Sequence, residues 1–214
     1  MRVVIAGGHG KIALQLEKLL AARGDSPVGV VRNHDHTAEV EATGGEVVVL
    51  DLESADVAAL AEVLRGADAV VFAAGGGPES GAARKDTVDR GAAVLLADAA
   101  EQAGVRRYLM VSAMGTEQAD PHSEDVFQVY LRAKKAADDD LRARDLDWTV
   151  VRPGRLTDDA GTARVQVGSL GHGEIPRADV AAVLAASLDT DSTIGKTFDL
   201  LTGHQTVDAA LAGV

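Results

Sequence analysis

The stretch Val3-Val4-Ile5-Ala6-Gly7-Gly8-His9-Gly10-Lys11-Ile12-Ala13 decides the fold that this sequence predicts. Four apolar residues predict a buried strand, and Lys11–Arg23 follows as a helix with an apolar face. Between them, Gly7 permits a tight turn and Gly10 lets a ligand approach the backbone. The first N–H groups of the helix, at Lys11 and Ile12, favour negative charge. This turn therefore predicts a site for the pyrophosphate of a dinucleotide.

The residue that would contact the adenosine ribose is expected about 20 residues further on, at the end of the next strand. Arg32 stands 22 residues after Gly10. An acid there would bind the 2′-hydroxyl of NAD, whereas an arginine pairs with the 2′-phosphate of NADP. We therefore expect NADP rather than NAD. Two alternatives stay open, since Asp35 lies three residues later and Arg32 can also be a solvated surface residue.

Short apolar strands alternate with helices along the rest of the chain, which predicts a doubly wound, mostly parallel α/β sheet with helices on both faces. The further predicted strands are Pro27–Val31, Glu46–Leu50, Ala69–Ala73, Arg107–Val111, Trp148–Val151 and Thr197–Leu201. The further predicted helices are Ser54–Leu64 with Ser54 as N-cap, Asp86–Ala103, Ser123–Arg144 and Arg177–Leu188. We expect a single Rossmann-type domain over residues 1–214. The irregular segments 113–122 and 155–176 are expected to form its substrate side.

Composition limits the classes of partner. A net charge of −12 disfavours nucleic acid and anionic membranes, and no apolar run approaches the length of a membrane span. With no cysteine, disulfides and thiolate metal sites are excluded. Because the first residues already form a core strand, we expect no signal peptide and a cytoplasmic protein. A small-molecule substrate and a monomer or homodimer are expected.

Five further segments occur in a recognisable order: Asp51-Leu52, Ala73-Ala74-Gly75, Val111-Ser112-Ala113, Tyr130-Leu131-Arg132-Ala133-Lys134 and Val151-Arg152-Pro153-Gly154-Arg155. With the glycine turn, they resemble the short-chain dehydrogenase/reductase superfamily over nearly the whole chain. The closest resemblance is to its compact atypical branch of NAD(P)-binding, NmrA-like or epimerase-like proteins.

This resemblance implies a role for each segment. Asp51 and Leu52 would contact adenine, and Ala73, Ala74 and Gly75 would lie along the adenine ribose. The turn of Pro153, Gly154 and Arg155 would lie against the nicotinamide. Ser112, Tyr130 and Lys134 would be the catalytic residues, and Ser112 and Lys134 would also contact the cofactor.

Tyr130 and Lys134 are four residues apart and share one helix face. A phenol with a pKa near 10 is a poor acid at neutral pH unless a nearby ammonium lowers that pKa. Tyr130 could then protonate a carbonyl oxygen as hydride arrives, while Ser112 orients that oxygen. Alternatively, Tyr130 packs against the sheet and Lys134 is solvated. The interval between Ser112 and Tyr130 carries an acidic stretch (Glu117, Asp120, Glu124 and Asp125) that could displace the tyrosine.

Three functions follow from these patterns. The first is an NADP-dependent oxidoreductase that moves hydride between NADPH and a small carbonyl- or quinone-like acceptor. The second is a non-catalytic, NmrA-like regulator that senses redox state through bound NADP. The third is a sugar-nucleotide epimerase or dehydratase, which is disfavoured because only about 60 residues follow Pro153, whereas relatives of that kind carry a larger substrate domain.

The remaining polar residues are interpreted as structural or solvated. His9 is expected to contact phosphate or solvent, and no metal is expected at His34 and His36, which lack a nearby third ligand. Asp138-Asp139-Asp140 is interpreted as a solvated helix face. Asp86 and Asp89 are expected at the N-terminal end of a helix, and Arg177-Ala178-Asp179-Val180 as a structural segment at the pocket floor.

Overall fold

The computed structural model describes residues 1–77 and 81–214 and contains a nine-stranded sheet with helices on both faces. The strands of this sheet are β1 (Arg2–Ala6), β2 (Ser26–Val31), β3 (Glu46–Val49), β4 (Ala69–Phe72), β5 (Arg107–Val111), β6 (Asp147–Pro153), β8 (Arg164–Gly168), β10 (Lys196–Thr202) and β11 (Gln205–Thr206). Two short strands, β7 (Arg155–Thr157) and β9 (Glu174–Pro176), form a separate parallel pair.

The helices connect successive parallel strands. They are α1 (Lys11–Ala22), α2 (Thr37–Glu41), α3 (Val57–Leu64), α4 (Ala82–Arg84), α5 (Ala93–Ala103), α6 (Val126–Arg142), α7 (Arg177–Ser187) and α8 (Val207–Leu211). A π-helical stretch, Lys85–Ala92, joins α4 to α5. None of the helices in the described part of the chain has the length and apolar character needed to cross a membrane.

The strand order is β11-β8-β10-β6-β5-β4-β1-β2-β3, and only β8 runs antiparallel to its neighbours. The chain moves from β1 outward to β3 on one side and then returns to β4 on the other side. The crevice beyond the carboxyl ends of β1 and β4 is therefore the switch point at which open α/β sheets bind ligands. The predicted Rossmann-type fold is confirmed.

Two apolar clusters hold the layers together, because successive strand residues point to opposite faces of the sheet. Val3 and Ile5 of β1 belong to the cluster beneath α1 and α7, whereas Val4 and Ala6 belong to the cluster beneath α3 and α5. All four are fully buried. Strand β1 is therefore covered on both faces, and the turn after it begins from a rigid, fully buried strand.

Several predicted boundaries were wrong. Helix α3 begins after Asp56, whose carboxylate accepts a hydrogen bond from the Ala59 N–H, so Asp56 rather than Ser54 is the N-cap. Strand β6 includes Pro153, because a proline at a strand end needs to donate no hydrogen bond there. The segment 155–176 contains β7, β8 and β9, which are too short for a periodic pattern to reveal.

Candidate functional site

The turn between β1 and α1 is held against the neighbouring strand. The N–H groups of Gly7 and Gly8 donate to Val30 O at 3.2 and 2.9 Å. Gly7 has a φ of +84°, and a side chain there would meet Ala74 Cα at 2.6 Å. Gly10 precedes α1, and no side chain caps that helix. The first N–H groups of α1 thus lack an intramolecular acceptor, and this cradle fits a pyrophosphate.

A cavity of about 250 Å³ extends from this turn along the ends of β2, β3 and β4. Its lining includes these predicted site residues: Gly7, His9, Gly10, Arg32, Asp51, Leu52, Ala73, Ala74 and Gly75. Lys11 and Ile12 begin the adjoining helix, and Ile12 lines the next cavity. The structure therefore brings together the residues predicted for the adenosine half of a dinucleotide.

Two arginines converge on one carboxylate at the far end of this cavity. Arg84 donates to Glu53 through Nε and Nη2 at 3.2 and 3.0 Å, and Arg32 Nη1 lies 3.6 Å from the same oxygen. A hydrogen bond from Thr87, together with the two guanidinium groups, lowers the pKa of Glu53. Arg32, Glu53 and Arg84 all line the cavity, so two guanidinium groups face it beside a single carboxylate.

The histidines near the turn contact each other. The rings of His9 and His36 are parallel with centroids 3.7 Å apart, and His9 Nε2 lies 3.1 Å from Glu39 Oε1. His34 is exposed in the same short 3₁₀ segment as His36. Within residues 1–77 and 81–214, no group of three metal-ligating side chains occurs.

A second cavity, of about 570 Å³, adjoins the first and contains the predicted catalytic residues Ser112, Tyr130 and Lys134. Ala73, Ala74 and Gly75 line both cavities, so the two form one continuous cleft. The cleft crosses the carboxyl ends of β1, β4 and β5, where a parallel sheet exposes its loops.

Lys134 is buried, and its ammonium group faces three acceptors. Its Nζ lies 3.3 Å from Asp89 Oδ1, 3.1 Å from Val111 O and 3.4 Å from Ala74 O. Asp89 is fully buried and also accepts a hydrogen bond from the Gly76 N–H. The expected place of Asp89 at a helix N-terminal end was wrong, because the π-helical stretch turns its side chain into the site.

The environment of Tyr130 keeps its phenol protonated. Burial raises its pKa, and the carboxylates of Asp89 and Asp138 raise it further. The Asp89 charge offsets that of Lys134, so this lysine does not supply the pKa depression that the spacing predicted. Tyr130 therefore stays protonated at neutral pH, and its raised pKa makes it a weaker acid than the spacing with Lys134 predicted.

Ser112 lines the 570 Å³ cavity and lies beside a buried ion pair. Its hydroxyl is next to the Asp138 carboxyl but makes no hydrogen bond of good geometry among the described residues. Arg152 Nη2 contacts Asp138 Oδ2 and Glu117 Oε1, each at 2.8 Å. Burial raises the pKa of Asp138, although the neighbouring Ser112 hydroxyl and the positive charge of Arg152 each lower it. The interpretation of Asp138 as solvated was wrong, since it is fully buried.

A third cavity, of about 790 Å³, extends the cleft away from the glycine turn. The predicted substrate segments contribute Ala113 and Met114 on one side and His172 on the other, and Pro153, Gly154 and Arg155 line it as well. Helices α6 and α7 add Phe127, Tyr130 and Arg177, which the predicted segments did not include. Arg177 donates to Asp158 at 2.6 Å, and Asp158 also pairs with Lys11 at 2.5 Å.

Four residues of the cleft were not predicted as site residues, because no sequence pattern marked them: Arg84, Lys85, Asp89 and Phe127. Arg84, Lys85 and Asp89 belong to the irregular helical run after β4, where α-helical periodicity gives the wrong face. Phe127 follows Asp125, whose carboxylate caps α6 by accepting from the Phe127 and Gln128 N–H groups. The sequence favoured Ser123 as the start of this helix, which obscured that arrangement.

The fold and the cleft define a nucleotide-binding protein, and comparison with known families gives the same class. A family model described as NAD(P)H-binding matches residues 7–191, and the chain belongs to this family. The resemblance to atypical short-chain dehydrogenases/reductases is thereby confirmed.

Individual relatives match over almost the full length. The uncharacterized sugar epimerase YhfK of Bacillus subtilis is 35% identical over 99% of both chains. A Bacillus halodurans structure, named provisionally as an NAD-dependent epimerase/dehydratase, is 37% identical over 100% of both chains with a TM-score of 0.92. The oxidoreductase ylbE from Lactococcus lactis is 26% identical, with a TM-score of 0.89, over 100% of this chain and 96% of its own.

Proposed function

We propose that this protein is an NADP-dependent oxidoreductase that moves hydride between NADPH and a small carbonyl- or quinone-like acceptor. The observation that carries the proposal is the continuity of the cleft: Ala73, Ala74 and Gly75 line both the cavity at the glycine turn and the cavity at Tyr130. An extended dinucleotide held by the turn at one end reaches the candidate catalytic residues at the other.

Each part of the cleft has a proposed contact with the cofactor. The pyrophosphate is bound by the turn residues Gly7, His9, Gly10, Lys11 and Ile12. Adenine and its ribose are bound by Asp51, Leu52, Ala73, Ala74 and Gly75. The nicotinamide half lies near Ser112, Lys134, Pro153, Gly154 and Arg155.

The preference for NADP rests on the convergence of Arg32 and Arg84. Both guanidinium groups already surround the anionic carboxylate of Glu53 at the adenosine end. A 2′-phosphate offers more acceptor oxygens than one carboxylate and pairs with arginine in bidentate geometry. NAD, which lacks that phosphate, would leave both arginines with Glu53 alone.

The proposed chemistry is reduction of the acceptor. The nicotinamide supplies hydride when NADPH is bound. Tyr130, which stays protonated at neutral pH, donates its proton to the acceptor oxygen as the arriving hydride makes that oxygen strongly basic. The Ser112 hydroxyl, which lines the cavity beside the Asp138 carboxyl, donates a hydrogen bond to the same oxygen. Lys134 keeps the floor of the site in place through Asp89 and the two carbonyl groups.

Two measurements test this function. Titration with NADPH and NADH, followed by fluorescence, is expected to show tighter binding of NADPH. Arg32→Gln and Arg84→Gln should each weaken NADPH binding about tenfold, while Arg65→Gln, which alters an exposed arginine paired with Glu62, serves as the control. Equal affinity for NADH and NADPH would overturn the preference for NADP.

Turnover is tested separately. The wild-type protein is expected to consume NADPH with a quinone, flavin or carbonyl acceptor. Tyr130→Phe should reduce kcat by about 10²–10⁴-fold, the usual range for loss of a general acid. An unchanged kcat in Tyr130→Phe would remove Tyr130 from the mechanism.

A second function is supported by the state of Lys134. All three of its donor directions face protein acceptors, so it has no donor left for a ribose hydroxyl or for Tyr130. This arrangement favours a non-catalytic regulator that binds NADP as a redox signal. NADPH that binds tightly but is never consumed with any acceptor would identify it. The epimerase names of two relatives support a third, lower-ranked function on a sugar nucleotide.

A further inference from the structure

Lys85 is a buried cation on the wall of the 570 Å³ cavity. It begins the π-helical stretch and is 5% exposed. Its Nζ donates to Gly77 O and lies 5.3 Å from the centroid of the Tyr130 ring. The side chain therefore faces the same space as the candidate proton donor.

The charge of Lys85 is not matched by a neighbouring acid among the residues that the structure describes. Asp89, one helical turn away, pairs with Lys134, and no described carboxylate oxygen lies within 4.0 Å of Lys85 Nζ. The partners of Lys85 among the described residues, the Gly77 carbonyl and the Tyr130 ring, are both neutral, and a buried lysine without a counter-charge loses its hydration at a cost. An anionic group entering the cavity would remove this cost, since charge-assisted hydrogen bonds are stronger in a partly desolvated site.

The cavity also has a large apolar wall, formed by the side chains of Ile12, Val111, Val126, Phe127 and Leu156. Its other polar side chains are those of Asp89, Ser112, Tyr130 and Lys134, and the Asp89 charge is paired with Lys134. Phe127 is 59% exposed, and its ring centroid lies 6.0 Å from that of Tyr130. The cap from Asp125 fixes the Phe127 backbone, so this ring is presented by an ordered helix end. Exposed apolar side chains at a cavity mouth are suited to cover a flat apolar ligand.

We infer that the acceptor is a planar, largely apolar molecule carrying an acidic group, and that Lys85 binds this group while Phe127 packs against the ring system. This inference rests on the proposed function, because it describes the acceptor of that reaction. It adds Lys85 as a binding residue of the cavity that also contains Ser112, and it names the chemical class of the substrate.

A matched pair of fluorescent probes tests the inference without turnover. 8-Anilinonaphthalene-1-sulfonate and N-phenyl-1-naphthylamine share one ring system and differ by the sulfonate. Wild-type protein is expected to bind the sulfonate more tightly. Lys85→Met should weaken sulfonate binding about tenfold and leave the neutral probe unchanged, and Lys85→Arg should retain the preference. Phe127→Ala should weaken both probes.

The control is Lys135→Met, which removes an exposed lysine that pairs with Asp139 on the outer face of α6. Thermal unfolding of each variant checks that it is folded, and Lys85→Arg gives a second variant if Lys85→Met is not. Equal affinity for the sulfonate probe in wild-type protein and in folded Lys85→Met would overturn the inference. The inference would also be overturned if Lys85→Arg lost sulfonate binding and the wild-type protein bound the two probes with equal affinity.

NADPH binding and consumption, measured in parallel, separate this inference from the proposed function. Unchanged NADPH oxidation with no effect of Lys85→Met on the sulfonate probe contradicts only the inference. Absence of NADPH oxidation with a Lys85-dependent preference for the sulfonate contradicts the proposed function, and it leaves Lys85 and Phe127 as a binding site for an acidic ligand that is not reduced.

Discussion

At the scale of single residues, the pairing of Asp89 with Lys134 controls how Tyr130 can react. A lysine four residues after a tyrosine on one helix normally lowers the phenol pKa. Here Asp89 Oδ1 lies 3.3 Å from Lys134 Nζ and offsets the positive charge. The phenol stays protonated, so the phenolate base that oxidation of an alcohol would need is not available at neutral pH.

Asp89→Asn should therefore lower the pKa of Tyr130. The substitution removes the carboxylate that, after burial, contributes most to the raised value. The chain has only two tyrosines, and burial raises the pKa of Tyr108 well above its ordinary value, so tyrosinate absorbance reports Tyr130 first. The control is Asp86→Asn, which alters an exposed acid paired with Arg90. Identical titration of wild type and Asp89→Asn would contradict this account of Tyr130.

Glu17 is a second buried acid, beneath the glycine turn. Burial raises its pKa from 4.5 to about 8, although a hydrogen bond from Thr43 opposes the shift. Because the folded protein holds this proton more tightly than the unfolded chain, the stabilisation is complete below pH 4.5. It is lost as pH rises towards 8, at up to about 1.4 kcal/mol per pH unit.

Glu17→Gln should remove this loss. Urea unfolding at several pH values between 5 and 8 is expected to show a falling free energy of unfolding for wild type and a flatter profile for the variant. Glu41→Gln, at an exposed position on α2, should behave as wild type does. A wild-type profile with the same slope as that of Glu17→Gln would show that Glu17 does not titrate in this range.

At the scale of elements, the strands and glycine turn were predictable, and the helical run after β4 was not. Strands β1 to β6 are short apolar runs, and Gly7 and Gly10 stand where a strand meets a helix, so local pattern was sufficient. Asp89 and Asp138 look like surface acids in sequence. Their burial depends on π-helical geometry in one case and on the position of Arg152 in the other. Neither follows from residue spacing.

The small β7–β9 sheet beside the third cavity depends on the close approach of two glycines. A side chain at Gly154 would meet Gly173 O at 2.5 Å and collide with the Leu201 side chain. Gly154→Ala should therefore destabilise the protein by about 1–3 kcal/mol, the usual cost of overpacking. The measurement is the free energy of unfolding in urea. Gly171→Ala is the matched control, because no atom lies within 4 Å of the position of its added carbon. Equal stability of the two variants would contradict the packing.

At the scale of the whole molecule, one cleft unites the features that the family relationship implies. The chain belongs to an NAD(P)H-binding family, and the glycine turn lies beside the switch point between β1 and β4. The predicted site residues are far apart in sequence, but in the fold they line adjoining cavities at the carboxyl ends of the strands. The identity of the acceptor depends on side chains such as Lys85 and Phe127, which only the assembled fold brings together.

Cofactor binding should stabilise the folded chain as a whole. Because a ligand that binds only the native state adds RT ln(1 + [L]/Kd), NADPH at a hundred times its Kd is expected to add about 2.7 kcal/mol. Thermal unfolding should show a larger rise in Tm with NADPH than with NADH at equal concentration. In Arg84→Gln this difference should shrink, and a full difference in that variant would exclude Arg84 from the phosphate site.

The crystal structure of the NADPH complex tests the central claim most directly. If the protein binds NADP as proposed, we expect the 2′-phosphate to lie between Arg32 and Arg84 and the pyrophosphate to lie at the turn of Gly7 and Gly10. We also expect the Tyr130 hydroxyl to face the nicotinamide C4 side of the cleft. A ribose held by Glu53 through its hydroxyls, or a nicotinamide turned away from Tyr130, would contradict this proposal.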